Sequence, residues 1–204
     1  MGGFMRLIRY SFAVLVFILV TGVVLAQDSQ PEPRAANTYS HGGEFDSYTG
    51  YLTYWKVIEG AAKDNRICGG VGYNGSNCAF QFYGNKTEKT RLTQNTPINF
   101  LYGSTEPHYG FLSAQVKPTK GEVELVFVFT FTFKDGSPAI KTNYTYTGTG
   151  PAEEYEAVYF ETASSFNPNK IKAVKINIRN LSPFRTTVYV DSVNIGINVA
   201  EPDR

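Results

Sequence analysis

Residues 122–133 read Glu-Val-Glu-Leu-Val-Phe-Val-Phe-Thr-Phe-Thr-Phe. Val123, Leu125, Phe127, Phe129, Phe131 and Phe133 fall on one face at a period of two. Glu122, Glu124, Val126, Val128, Thr130 and Thr132 fall on the other. Strict alternation over this length predicts a strand with one face in a core. A helix would scatter the same side chains around its whole surface. The Lys134-Asp135-Gly136-Ser137 segment follows as an Asp-Gly turn, so residues 139–147 are expected to return antiparallel. Before the strand, Lys120-Gly121 reads as another turn, with Glu122 and Glu124 at a solvated edge.

Outward from this stretch the texture is uniform between about 42 and 198. Short runs rich in Val, Ile, Thr, Tyr and Phe alternate with Gly, Asn, Pro and Asp clusters. Further strands are expected at 51–57, 76–82, 89–94, 109–117, 155–162, 171–179 and 186–197. In 171–179 the buried set is Val174, Ile176 and Ile178, joined by Ile171 at the edge. No amphipathic helix of useful length is visible. Nine or ten strands at this spacing indicate an all-β domain, either a two-sheet sandwich or a barrel.

Residues 1–26 do not belong to that domain. Arg6 and Arg9 precede an apolar run from Phe12 to Leu25, and small residues follow at the end. This is the order of a secretory signal peptide. The run is shorter than the ~20 residues a bilayer span needs, which argues against an uncleaved anchor. Residues 27–41, with Pro31 and Pro33, read as a flexible leader, and 199–204 as a C-terminal tail. The expected location is therefore secreted, extracellular or at the cell surface, without stable membrane insertion after cleavage.

Without Arg6 and Arg9 the 19 basic residues become 17 against 18 acidic ones, a net charge of −1. That balance lacks the footprint of a nucleic-acid binder. The two cysteines, Cys68 and Cys78, lie in the exported part, where a disulfide is the simplest pairing. A redox or metal pair fits less well, because the spacing is not CxxC and no His lies nearby. The two histidines, His41 and His108, sit in no recognisable constellation, and no GxSxG, HExxH or phosphate loop occurs. The reading is a protein that is not an enzyme. Four Asn-x-Ser/Thr triplets, at Asn74, Asn85, Asn143 and Asn180, matter only in a eukaryotic secretory pathway.

The two ends of the domain carry motifs. Near the start is Gly42-Gly43-Glu44-Phe45-Asp46, followed by Tyr51 to Val57 with Trp55. Near the end is Thr187-Val188-Tyr189-Val190-Asp191-Ser192-Val193. With the 109–118 segment (YGFLSAQVKP), these make the chain resemble the calcium-containing jelly-roll carbohydrate-binding modules over about 42–197. That group includes cellulose- and xylan-binding members. The resemblance implies a two-sheet antiparallel β-sandwich, the jelly roll. It also implies a structural calcium held where the opening and closing motifs meet, by Asp46 and Asp191 with Glu44 beside them. Carboxylates and the carbonyls of a Gly-rich turn are suitable hard ligands. Phe45 and Trp55 would flank the site in the core. Two positions depart from the family pattern: Gly42 stands for the usual Asn, and Ser192 for a second Asp.

The resemblance also implies a polysaccharide or other glycan as partner. Flat rings stack on the apolar faces of sugars, and amides orient them. In 109–117, Leu112, Ala114 and Val116 are expected inward and Tyr109, Phe111, Ser113, Gln115 and Lys117 outward. Tyr109, Phe111 and Gln115 are thus candidate ligand contacts, with Tyr144 on the returning strand and Tyr73 in the loop before Cys78. The alternative is an extracellular structural or cell-surface subunit that self-associates through its β-sandwich, the same rings serving as subunit contacts.

Overall fold

The computed structural model describes residues 39–60, 62–99 and 105–199. The signal peptide, most of the leader and the tail beyond 199 lie outside them. One short helix, α1 (Tyr48–Tyr54), precedes nine strands: β1 (Trp55–Ile58), β2 (Asn65–Cys68), β3 (Cys78–Gly84), β4 (Arg91–Pro97), β5 (His108–Phe133), β6 (Ile140–Gly150), β7 (Glu156–Glu161), β8 (Ile171–Asn180) and β9 (Thr186–Val199). They form one hydrogen-bonded sheet in the order β1-β4-β8-β5-β9-β3-β2, with β6 and β7 also paired to β5.

The expected turn at Lys120-Gly121 is a bend inside a single strand. β5 runs 26 residues without a break. Its first half pairs with β7 and β9, and its second half with β6 and β8. The bend is made by an extra residue beside Thr119, where the register against β9 shifts, and by Gly121 at φ +76°. The two halves then turn toward each other. The Phe131 ring packs over Gly110, where a Cβ would lie 2.2 Å from it. Phe129 meets Phe160 of β7 with ring centroids 5.1 Å apart.

The alternation in 122–133 places Val123, Leu125, Phe127, Phe129 and Phe131 in one core with Ile171, Val174, Ile176 and Ile178, as their period requires. The Asp-Gly turn also forms: Gly136 has φ +77°, and Asp135 accepts the Ser137 N–H at 3.0 Å. Residues 51–54, expected as strand, are helical. Ser47 caps the segment by accepting the Gly50 N–H at 3.1 Å, and only Tyr51 of the helix is buried. The packed chain begins before residue 42. Tyr39 is buried, its N–H donates to Ile195 O at 2.6 Å, and Ser40 Oγ accepts the Ile195 N–H. Residues 39–41 are therefore not flexible leader. Among the described residues no helix is long and apolar enough to cross a membrane.

Candidate functional site

Two surfaces collect the chemistry singled out in the sequence. The first is where the ends of the chain meet. β9 carries an extra residue: Ser113 pairs with Asn194, but Gln115 pairs with Asp191. Ser192 sits in this bulge at φ +49°. A bulge re-aims the side chain beside it, and Asp191 is thereby turned, fully buried, toward the opening motif. The Gly43 and Val193 backbones touch there, with Val193 N–H donating to Gly43 O at 3.0 Å. Phe45 and Trp55 are both buried behind the contact, 5.5 Å apart.

Ser76 Oγ is the centre of this junction. It donates to Asp46 Oδ1 at 2.8 Å and has Cys78 O at 3.0 Å and Glu44 O at 3.3 Å. It also reaches the Asp191 carboxylate. A hydroxyl has one proton, so four acceptor oxygens converge where only one can be satisfied by it. The Cys78 N–H donates to Asp46 Oδ1, and the Tyr73 and Ser192 N–H groups donate to Asp191. Burial and the neighbouring Asp46 charge nevertheless push the Asp191 carboxyl up to about 6, against the pull of those hydrogen bonds. Glu44 takes part through its carbonyl; its side chain is exposed. The Arg66 guanidinium donates to Phe45 O and Asp46 O. Two carboxylates and two carbonyls fit the hard-oxygen preference of calcium.

Cys68 and Cys78 are disulfide-bonded and face each other across β2 and β3. The bond braces the strand that supplies Cys78 N and O to the junction. Replacing both cysteines by Ala is expected to cost about 2–3 kcal/mol, from the entropy of the short loop they close. Denaturant unfolding of the double variant checks this.

The second surface is the outward face of the first half of β5 and its neighbours. Tyr109, Ser113, Gln115 and Lys117 lie there, half-buried. Opposite them on β9 are Asn198, Asn194 and Tyr189, and on β7 Tyr159 and Glu161. Phe111 has the expected orientation but is only 3% exposed, because the Tyr159 ring stacks over it at 5.7 Å. Tyr159 is therefore the ring presented to solvent, and Phe111 is its support. Asn198 Nδ2 donates to the Tyr159 hydroxyl and to Glu161, and the Tyr159 hydroxyl donates to Glu161. Burial, then the Glu161 carboxylate, hold the Tyr159 phenol above its ordinary value, so it stays a neutral donor.

Of the residues expected to touch ligand, Tyr109 and Gln115 share this face. Tyr73 stands at the neighbouring end, its ring edge-on to Tyr155 at 5.7 Å and its N–H on Asp191. Tyr144 does not join them. It pairs with Phe127, on the inward side of the second half of β5, and stacks on Phe160 at 5.6 Å. Its exposure comes from lying at the margin of the core. Tyr159, Asn194 and Asn198 were missed. Strand parity alone could have found the two asparagines, which alternate with Val193, Ile195 and Ile197. His108 is buried, with Nδ1 3.0 Å from Asn198 O, and His41 stacks on Tyr54 at 4.5 Å.

No family model matches the chain, and no curated protein matches it. Solved structures do. A CBM61 module in complex with β-1,4-galactotriose is 13% identical, with 78% of this chain and 98% of that one covered and a TM-score of 0.52. The CBM22-1 xylan-binding domain of a Paenibacillus barcinonensis protein is 11% identical over 83% of this chain and all of its own, with a TM-score of 0.51. The enzymatically active domain of tailspike protein 4 of bacteriophage CBA120 is 14% identical over 78% of this chain but only 21% of its own, with a TM-score of 0.54. At these identities the likeness is one of fold. The chain is an all-β domain with the fold of the CBM61 and CBM22 modules.

Proposed function

We propose that this protein is an extracellular glycan-binding module without catalytic function, built as a two-layered jelly roll and stapled by a structural calcium. The observation that carries the reading is the outward face of β5, β7 and β9. There the Tyr109 and Tyr159 rings stand among the Gln115, Asn194 and Asn198 amides. Rings supply stacking area for a pyranose, and amides beside them discriminate hydroxyl positions. Phe111 under Tyr159, and the hydrogen bonds from Asn198 and to Glu161, hold the ring in place before ligand arrives, which limits the entropy lost on binding. The surface is an open sheet face, suited to a chain lying across it.

Calcium would be held by Asp46 and Asp191 with the Glu44 and Cys78 carbonyls. It would supply positive charge to a junction that gathers two carboxylates. The protein's own residues do the rest: the β9 bulge aims Asp191, and the Gly43–Val193 contact brings the opening motif to it.

Affinity electrophoresis through gels containing neutral polysaccharides tests the reading. The protein is expected to be retarded by at least one β-linked polymer such as a galactan, xylan or glucan. Tyr159→Ala is expected to weaken that retardation about tenfold, the loss of one stacked ring. Tyr144→Ala is expected to leave it unchanged. A folded protein retarded by no polymer of a broad panel overturns the glycan reading. Concentration-dependent assembly in the same preparation would then favour a self-associating extracellular subunit.

A further inference from the structure

The opposite side of the molecule carries a different chemistry. The outward face of the second half of β5, with β4 and β8, bears Val, Thr, Asn, Lys and Arg and no ring, with Glu122 and Glu124 at the start of that half of β5. At one end of it Arg91 and Arg179 stand directly opposite each other across the β4–β8 ladder. Like charges so placed repel. They form part of a cleft of about 260 Å³ whose walls also include Lys86, Lys89, Asn180 and Glu59. Four cations thus face one carboxylate. Among the described residues, none of the four makes an ion pair. The nearest acid in sequence, Glu88, pairs with Arg185 at 3.5 Å. The short turn that carries Lys86 and Lys89 is anchored through its backbone at Lys86. The Lys86 N–H donates to Ser182 O at 2.9 Å, and Asn85 caps the turn by accepting the Thr87 N–H.

The loop that supplies this anchoring, 181–185, forms one wall through Leu181 and carries Phe184, which is 69% exposed. An unpaired cationic hollow with an exposed ring on its wall-forming loop matches a sugar that bears an acidic group. The anion would lie among the cations, where charge-assisted contacts are strongest, with the sugar chain running on over the 181–185 loop. We propose that this cleft binds the oxyanion of an acidic polysaccharide, a uronate carboxylate or a sulfate ester. It does so at a site separate from the Tyr109–Tyr159 face and independent of it.

Retardation in gels containing polygalacturonate or dextran sulfate tests this, with galactan and dextran as neutral comparators. The protein is expected to be retarded by an acidic polymer. Arg91→Gln/Arg179→Gln is expected to weaken that retardation about tenfold or more, because two charge-assisted contacts are lost. Retention by a neutral glycan through the other face should not change. The variant should melt no lower than the native protein, since the opposed charges are gone. Lys141→Gln/Lys175→Gln makes the same charge change elsewhere on the same sheet face and should leave the retardation intact. Equal loss in both pairs would mean unspecific attraction and overturn the proposal, as would no retardation of the native protein by either acidic polymer. Inorganic phosphate protecting the native protein against thermal unfolding at micromolar concentration, with no polymer binding, would assign the cleft to a free anion and overturn it too.

Discussion

Gly43→Ala is expected to destabilise the fold by about 3 kcal/mol, the upper end of what overpacking costs. A Cβ at this position would lie 2.0 Å from Val193 O and 2.8 Å from the Val193 carbonyl carbon. Both are backbone atoms, so no side-chain rotation relieves the contact. The segment 42–46 must move away from β9, and the Val193 N–H loses Gly43 O. The same displacement separates Asp46 from Asp191. The variant is therefore expected to melt early and to gain no stability from added calcium. Thermal unfolding with and without millimolar calcium reads both effects. A variant that melts like the native protein would show that the two segments are not held in contact.

The second large effect is on pH dependence. Asp191 titrates at about 6 in the fold against an ordinary 3.8, because burial and the Asp46 charge oppose its ionisation. A raised carboxyl favours the folded state while it is protonated. That contribution is complete below about 4 and is lost as pH rises through 6. The lost stability is on the order of 3 kcal/mol at low ionic strength. In chelator, unfolding is thus expected to become easier between pH 4 and 7. With calcium the dependence should flatten, since the bound cation favours the ionised form that the buried site otherwise resists. Asp191→Asn should remove both the pH dependence and the calcium response. A native protein equally stable across that range in chelator would show that Asp191 is not strained by its charge. A pH dependence that calcium leaves unaltered would count against the proposed cation.

Where a local pattern and its neighbours agreed, the sequence was enough. The period-two run from Val123 to Phe131 places those residues in the core whatever lies around them, because every second side chain of a strand shares a face. The Asp-Gly turn at 135–136 and the pairing of two nearby cysteines are equally local. The Gly-rich opening motif and the Asp of the closing strand also pointed to each other, through family resemblance, and the fold brings them together around Ser76.

Other features depend on partners distant in sequence, and only the tertiary structure decided them. The 26-residue β5 reads as two strands because Lys120-Gly121 looks like a turn. It is a bend because β9 pairs with β5 up to Lys120, with Thr119 as the extra residue, and β6 takes up the pairing from Gly121 onward. Tyr51 to Tyr54 are residue types common in strands, but they coil into a helix that is capped by Ser47 and turns Tyr51 toward Phe80. Phe111 points outward as its parity requires, yet it is covered, because the residue paired with Ser113 on β7 is Tyr159. Parity gives a side chain its direction; what lies over it is set by strands forty or more residues away. The basic cleft was invisible for the same reason. Arg91 and Arg179 are unremarkable alone, and only the register of β4 against β8 sets them opposite each other.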